Sequence, residues 1–592
     1  MPNAYDAPLE HIRANIDVAA SVTGLQSIAG ANESLSADVT DPVLENAARF
    51  AREVLSPLNP VGDRSPARCT ASGVITSPGF ADAYRRFRED GWSSLSAPAQ
   101  DGGMGLTTLL AAATGEMWAG ANLAFAMCPE VAVGAVEALR HHAPASVRER
   151  FLPQIVSGEW TAAMSLTEPQ AGSDLSTLRT RAELANGETS DGPGSAWRLF
   201  GRKIYISWGD HDFTDNIVHL VLARTPDAPE GLRGISLFIV PKQVPGPGGQ
   251  LVRNDIRAFS IEHKMGIRAS PTCSMVMGEG DGALGWLIGK RHEGLACMFT
   301  MMNTMRLGVG IHSLGLAERA LQLARTHAHE RLQGRGPTGT GPRPIIEHAD
   351  VRRMLLHMKA LTHAARGLVY TAAATLDVAQ LAESEAARVT ATNRASLLTP
   401  IVKAWVSEVG NEVASLGVQV HGGTGYIDDA EISQVYRDSR IGPIFEGTNY
   451  IQAQDLLGRK IVRDRAQTLN ALLDDISAAA ADLPADVAAL AGLRFQLLTC
   501  SKRLREATQD IVHLAVSDVE LIGSIAHHYL QWLGVLIGGW QLALVASRNL
   551  QDQAIVDVAG FYASHIMPRA LMHEMIVRQG SLAITGPKIS AI

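Results

Sequence analysis

The stretch Asp438-Ser-Arg-Ile-Gly-Pro-Ile-Phe-Glu446-Gly-Thr-Asn-Tyr-Ile-Gln452 places one carboxylate in an apolar, glycine-flanked setting. Gly442 and Pro443 break a preceding helix and the run from Tyr450 to Lys460 can start another, so Glu446 is expected on a bend between helices. Partial desolvation by Ile444 and Phe445 would disfavour the charged form of that carboxylate. Its basicity would rise, which suits removal of a weakly acidic C–H proton. On chemistry alone the plainer reading is a Glu in the first turn of the following helix, where acidic residues favour the positive end of the helix dipole.

Three pieces around this carboxylate bear on the choice: Gln419-Val-His-Gly-Gly-Thr-Gly-Tyr426, Tyr436-Arg-Asp-Ser-Arg-Ile441, and Phe445-Glu-Gly-Thr448 with Ile451-Gln452 trailing. Read together from Val418 to Lys460, they resemble the C-terminal signature of the acyl-CoA dehydrogenase family. The resemblance implies that Glu446 removes the α-proton of an acyl-CoA thioester while a hydride leaves the β-carbon for N5 of FAD, giving a trans-2-enoyl-CoA. Phe445 and Gly447 would then lie against the substrate. Many relatives have Tyr before the Glu where this chain has Phe445, so a hydroxyl is absent there.

Working back toward the N-terminus, short β-branched and aromatic runs replace the helical period at about Trp160: Ala162–Leu166, Lys203–Ser207, Asn216–Arg224, Gly234–Val240 and Thr272–Met277. The first ends in Leu166-Thr-Glu-Pro-Gln-Ala-Gly-Ser-Asp174, whose glycine, small residues and hydroxyls can bring backbone N–H groups and Ser173 close to a phosphate. A generic turn is built from similar residues. The full string resembles the family's flavin loop nearly residue for residue. By that resemblance Leu166 and Thr167 meet the pyrimidine side of the isoalloxazine, and Ser173 meets the FAD pyrophosphate and borders the substrate. Tyr205 and Ser207 fall where relatives usually have Trp and Thr beside the flavin. Glu262–Thr272 resembles the strand that ends the family's β-domain.

From Gly294 a helical stripe returns, with Leu295, Met298, Met302, Met305 and Val309 at spacings of three and four, so the methionines are core residues. On this helix Asn303 and Arg306 match family positions near CoA, the base and the thioester. Arg331 matches an arginine that reaches the FAD pyrophosphate of a neighbouring subunit, a task suited to its planar fork. An exposed arginine at a helix end is the alternative. His327 and His329 are two apart and face different ways, which argues against a metal pair. Pro337–Pro344 reads as a linker. Gly422-Gly-Thr-Gly425 lacks a preceding strand and a third glycine, so it is no dinucleotide loop. In the family Gln419, Gly422, Gly423 and Thr448 contact the adenosine half of the partner's FAD.

The 592 residues exceed one core. The expected class is mainly α with a central β-domain: an N-terminal helical domain (1–160), a middle β-barrel or sheet domain (161–282), a C-terminal helical bundle carrying the base (283–462), and an appended helical domain (463–592). In the first, Ala97-Pro-Ala-Gln-Asp-Gly-Gly-Met-Gly-Leu106 resembles a family loop, and Asn122–Cys128 lies where relatives wall the acyl tail. Hydrophobic residues make up 46% and charged residues 19%, as in a soluble globular chain. The net charge of −8, without basic blocks, argues against nucleic acid as a partner. Five dispersed cysteines with no Cys-x-x-Cys pair indicate neither a disulfide frame nor zinc and fit a reducing cytoplasm. Residues 1–17 lack a signal-peptide core, and Trp532–Val545 falls short of the ~18 residues a membrane span needs. The resemblance further implies a homodimer or dimer of dimers and an electron-transfer flavoprotein as acceptor. An acyl-CoA oxidase reducing O₂, and a DNA-associated member of the fold without turnover, remain as alternatives; reoxidation by air and a basic face would mark them.

Overall fold

The computed structural model describes residues 4–246, 248–335, 341–588 and 590. The chain packs into two compact units, one of Met1–Ala48, Thr107–Gly120 and Arg306–Ile592, the other of Arg49–Leu106 and Ala121–Met305.

The second unit is built on an eight-stranded sheet: β1 (Trp160–Ser165), β2 (Arg181–Leu184), β3 (Ala196–Ser207), β4 (Asn216–Ala223), β5 (Ser236–Pro241), β6 (Ile256–Ile261), β7 (Thr272–Met277) and β8 (Ala283–Ile288). The order is β6-β7-β3-β8-β5-β4-β1, with β2 also on β3. β1 and β4 pair in parallel, in register from Trp160 opposite Asn216 to Ser165 opposite Val221. β4, β5 and β7 are buried at every position, in keeping with their predominantly apolar sequences. The five expected strands are present, and β2, β6 and β8 join them. Gly285 interrupts the apolar pattern of β8 because a Cβ there would stand 2.7 Å from Val240 Cγ2 and 2.9 Å from the Ile239 carbonyl oxygen. Of Glu262–Thr272, expected as a strand, Thr272 starts β7 and 262–271 form an irregular turn leading into it. Ile267 adopts φ 44° in this turn, outside the β region.

The first unit is helical. Its frame comprises α1 (Gly294–Glu330, in this unit from Arg306 on), α2 (Ala349–Leu381), α3 (Glu385–His421), α4 (Glu431–Ser439) and α5 (Asn449–Gln454). The C-terminal extension adds α6 (Gln467–Ala481), α7 (Ala488–Leu514), α8 (Leu521–Arg548) and α9 (Pro568–Val577). α2 and α3 form the most extensive helix pair, and α8 packs on both of them and on α5. Two glycines bring α8 that close: a Cβ on Gly534 would meet Trp405 at 2.2 Å, and one on Gly538 would meet it at 2.7 Å. The extension thus packs into the core formed by α2, α3 and α5. The expected methionine stripe of α1 is buried at Met298, Met305 and Val309.

Residues 337–340 of the expected linker lie outside the described residues. Pro342–Pro344 pairs antiparallel with Leu332–Arg335, where Leu332 opposes Pro344. Two helices, Thr108–His142 and Leu521–Arg548, are long and apolar enough to cross a membrane, but their most apolar windows are 89% and 83% buried in protein.

Candidate active site

Glu446 sits on a bend between α4 and α5, half-buried, with φ 57°. A non-glycine residue is seldom held in the left-handed region unless its surroundings impose it. Gln452, fully buried, donates from Nε2 to the carbonyls of Glu446 and Gly447, both at 3.3 Å, and the Asn449 N–H donates to Pro443 O at 3.0 Å. Gly447 follows at φ 82°, and a Cβ on it would meet Gln452 Nε2 at 2.7 Å. Thr448 caps α5, its hydroxyl accepting from Ile451 N at 3.4 Å. Ile444 is 49% exposed and does not desolvate the carboxylate, contrary to expectation, because Pro443 and the tight turn after Ile441 direct it to solvent. Phe445 is half-buried.

Two buried cations act on Glu446. Arg306, on α1, is 5% exposed, and a terminal guanidinium nitrogen lies 3.9 Å from where a Cβ on Gly447 would stand. Burial lowers its pKa, against the opposing charges of Asp455 and Glu446. Lys403, on α3, is fully buried and donates to Asn449 Oδ1 at 2.9 Å. Burial pulls its ammonium down to about 7, with the Glu446 carboxylate resisting. Gln452 figures in the sequence only as the end of the signature, with no role of its own, and Lys403 does not figure there. A lone lysine in the apolar run Leu397–Val406 was the available signal.

In the other unit, the loop after β1 is tied to β3 by an unforeseen pair. Glu168, 4% exposed, accepts from Lys203 Nζ at 2.9 Å, Thr180 N at 2.9 Å, Thr180 Oγ1 at 2.6 Å, Arg179 N at 2.7 Å and Gln170 Nε2 at 2.6 Å. Burial alone would raise this carboxyl. The Lys203 charge and the donors outweigh burial and hold it at about 2. Lys203, with only Glu168 and the Leu166 carbonyl (3.0 Å) as acceptors, is pulled down to about 8 by burial. The partners thus shift in opposite senses relative to their ionised forms, and the five donors on Glu168 make its ionisation the firmer of the two. Ile204 N donates to Thr167 O at 2.9 Å, closing the loop on β3.

On this frame Leu166 is buried, Thr167 and Ser207 are half-buried, and Ser173 is exposed. Tyr205 is 61% exposed and adopts φ 61° within a strand. Elsewhere Asn303, Gln419, Gly422 and Gly423 are exposed. Arg331 is exposed at the end of α1, with one guanidinium nitrogen 3.4 Å from Gln333 Oε1. His327 stacks on His421 (centroids 4.4 Å apart), and no cluster of three metal-ligating side chains occurs among the described residues.

Family models match along nearly the whole chain: acyl-CoA dehydrogenase N-terminal domain at 41–159, middle domain at 163–279 and C-terminal domain at 292–461, then acetyl-CoA dehydrogenase C-terminal like at 472–586. The chain is 40% identical to the 3-methylmercaptopropionyl-CoA dehydrogenase of Ruegeria pomeroyi, over 98% of this chain and 99% of that protein. It is 31% identical to a broad-specificity linear acyl-CoA dehydrogenase of Mycobacterium tuberculosis, over 94% of each. The crystal structure of a Bacillus anthracis acyl-CoA dehydrogenase complexed with FAD superposes with a TM-score of 0.75 at 22% identity, covering 92% of this chain and 88% of that one. The chain belongs to the acyl-CoA dehydrogenase family, FAD-dependent oxidoreductases acting on acyl-CoA thioesters.

Proposed function

We propose that Glu446 is the base of an α,β-dehydrogenation. The observation that carries this reading is a half-buried carboxylate held in a left-handed bend and facing the charges of two buried cations, Arg306 and Lys403. A carboxylate fixed by its backbone in this way loses little freedom when it meets a C–H bond. The α-proton passes to the Glu446 carboxylate, the β-hydride leaves, and the C–H electron pair at Cα becomes the new trans double bond. The backbone N–H of Glu446 steadies the thioester oxygen as negative charge develops on it.

When bound, FAD accepts the hydride at N5. The loop after β1 and the end of β3 suit a flavin: Tyr205 on β3 offers a large exposed ring, and Gly172 in the loop has open space where a Cβ would stand. Leu166, Thr167, Ser173, Tyr205 and Ser207 would hold the flavin and pyrophosphate. Arg331, Gln419, Gly422, Gly423 and Thr448 would serve FAD across a homodimer, and Asn303, Arg306, Phe445 and Gly447 the acyl-CoA. Given the Ruegeria relative, 3-methylmercaptopropionyl-CoA is the first substrate to try, followed by linear acyl-CoAs as the Mycobacterium relative's name indicates. An electron-transfer flavoprotein is the proposed acceptor, the cytoplasm the proposed location, and 1–160, 161–282, 283–462 and 463–592 the proposed domains. Glu446→Gln tests the assignment. It should stay yellow and bind acyl-CoA, while single-turnover flavin reduction falls by roughly 10² to 10⁴; reduction at the wild-type rate would refute it.

A further inference from the structure

Lys403 stands midway along α3 in Leu397-Leu-Thr-Pro-Ile-Val-Lys-Ala-Trp-Val406 and is fully buried. An apolar side chain of the same length would fill this position without the loss of hydration that an ammonium suffers there. Its Nζ donates to Asn449 Oδ1, and Asn449 is fixed in turn by donating from Nδ2 to Glu408 Oε1 at 2.8 Å, to Ser407 Oγ at 3.0 Å and to Ala404 O at 3.2 Å. The backbone N–H of the same asparagine closes the bend onto Pro443 O. One chain of bonds therefore runs from the lysine to the peptide segment that carries Glu446.

Charged groups face Lys403 from three elements: Glu446 on the bend, Arg306 on α1 and Glu408 on α3. Asp455 and Arg459, just beyond α5, act on Arg306. Among the carboxylates it is Glu446 that acts most strongly on the lysine, ahead of Glu408.

We propose that Lys403 is a positioning residue for the dehydrogenation: held on Asn449 beside the base-bearing bend, its ammonium supplies, with Arg306, a second buried positive charge that keeps Glu446 ionised. This rests on Glu446 being the base. A lysine that merely fills space would affect catalysis equally at every pH. A charged one sets the pH at which Glu446 can accept a proton, and its help is confined to the acidic side, where the lysine is itself protonated, burial having pulled it down to about 7.

The test compares wild type, Lys403→Met, Lys403→Arg and Glu446→Gln as full-length FAD-loaded enzymes. Single-turnover flavin reduction is followed from about pH 5 to about pH 9 with the linear acyl-CoA that reduces the wild type fastest. In parallel, without substrate, the protonated-carboxyl infrared band that Glu446→Gln abolishes is titrated. Lys403→Met should move the acid limb and the infrared titration up by about one pH unit, since removing a neighbouring cation costs a carboxylate that much or more. Its rate should fall roughly tenfold on the acid side and converge on wild type at alkaline pH, and Lys403→Arg should restore both readouts. Lys403→Gln carries the same expectation should Lys403→Met not fold. A rate depressed equally at all pH, or an unmoved limb and band, overturns the proposal. Wild-type reduction by Glu446→Gln would instead remove the base assignment on which it rests.

Discussion

Glu446 and Glu168 are both carboxylates next to turn residues and a buried lysine, yet the two loops that carry them are built for different ends. Glu168 is 4% exposed and spends its oxygens on five donors; it is an ionised strut that ties the loop after β1 to β3. Glu446 is half-buried, its backbone rather than its carboxylate is pinned by Gln452, and cations act on it from Arg306 and Lys403. A saturated carboxylate cannot take a proton without breaking its own scaffold. Glu446 is held through a main-chain bond from Gln452, which remains when the carboxylate takes a proton.

The comparison breaks most visibly at Glu168. Glu168→Gln leaves Lys203 buried beside a neutral amide and should cost about 3–5 kcal/mol of stability, seen as a lower melting temperature and poorer FAD retention. Adding Lys203→Met should recover part of the loss, because it removes the unpaired charge. The pH dependence has a definite sign. A carboxyl held at about 2 instead of its ordinary 4.5 stabilises the fold fully above pH 4.5, and that contribution is lost as pH falls from 4.5 toward 2. The melting difference between wild type and Glu168→Gln should therefore shrink as pH falls below 4.5. A difference that grows in acid would contradict the strut.

Gly447→Ala comes next, at about 1–3 kcal/mol, since it forces a Cβ into a left-handed residue against Gln452 Nε2. Stopped-flow reduction should slow at least several-fold with the flavin still bound, because the bend and not the flavin loop is disturbed. Arg331→Ala has the smallest expected effect on the fold, within about 0.5 kcal/mol, as its side chain is exposed. Gel filtration with absorbance detection should nevertheless show weaker FAD retention if the arginine serves a neighbouring subunit; unchanged retention would leave it a surface residue.

The sequence made the bend legible because Gly442, Pro443 and Gly447 leave the backbone few alternatives there, and the strands β4, β5 and β7 legible because strands buried on both faces are predominantly apolar. It misplaced Ile444, whose apolar character says nothing of the direction a turn gives it. Glu262–Pro271 was read as strand although Gly266 and Pro271 favour the turn that forms. β2 is short and largely exposed, and β8 is broken by Gly285, so neither shows a strand period. The supports of both loops were hidden for a common reason. Lys203, Lys403 and Gln452 meet their partners from 5 to 46 residues away in sequence, and only the packed chain brings them there.

The most direct measurement places the two carboxylates side by side in one anaerobic stopped-flow experiment, with flavin bleaching by acyl-CoA recorded for Glu446→Gln and Glu168→Gln over the fraction of each that retains FAD. Glu446→Gln should keep its stability and its flavin but reduce it roughly 10² to 10⁴ times more slowly, whereas Glu168→Gln should be unstable yet reduce the flavin it keeps at close to the wild-type rate. A wild-type rate in Glu446→Gln, or an equally deep loss of rate in flavin-loaded Glu168→Gln, would contradict the division between base and strut.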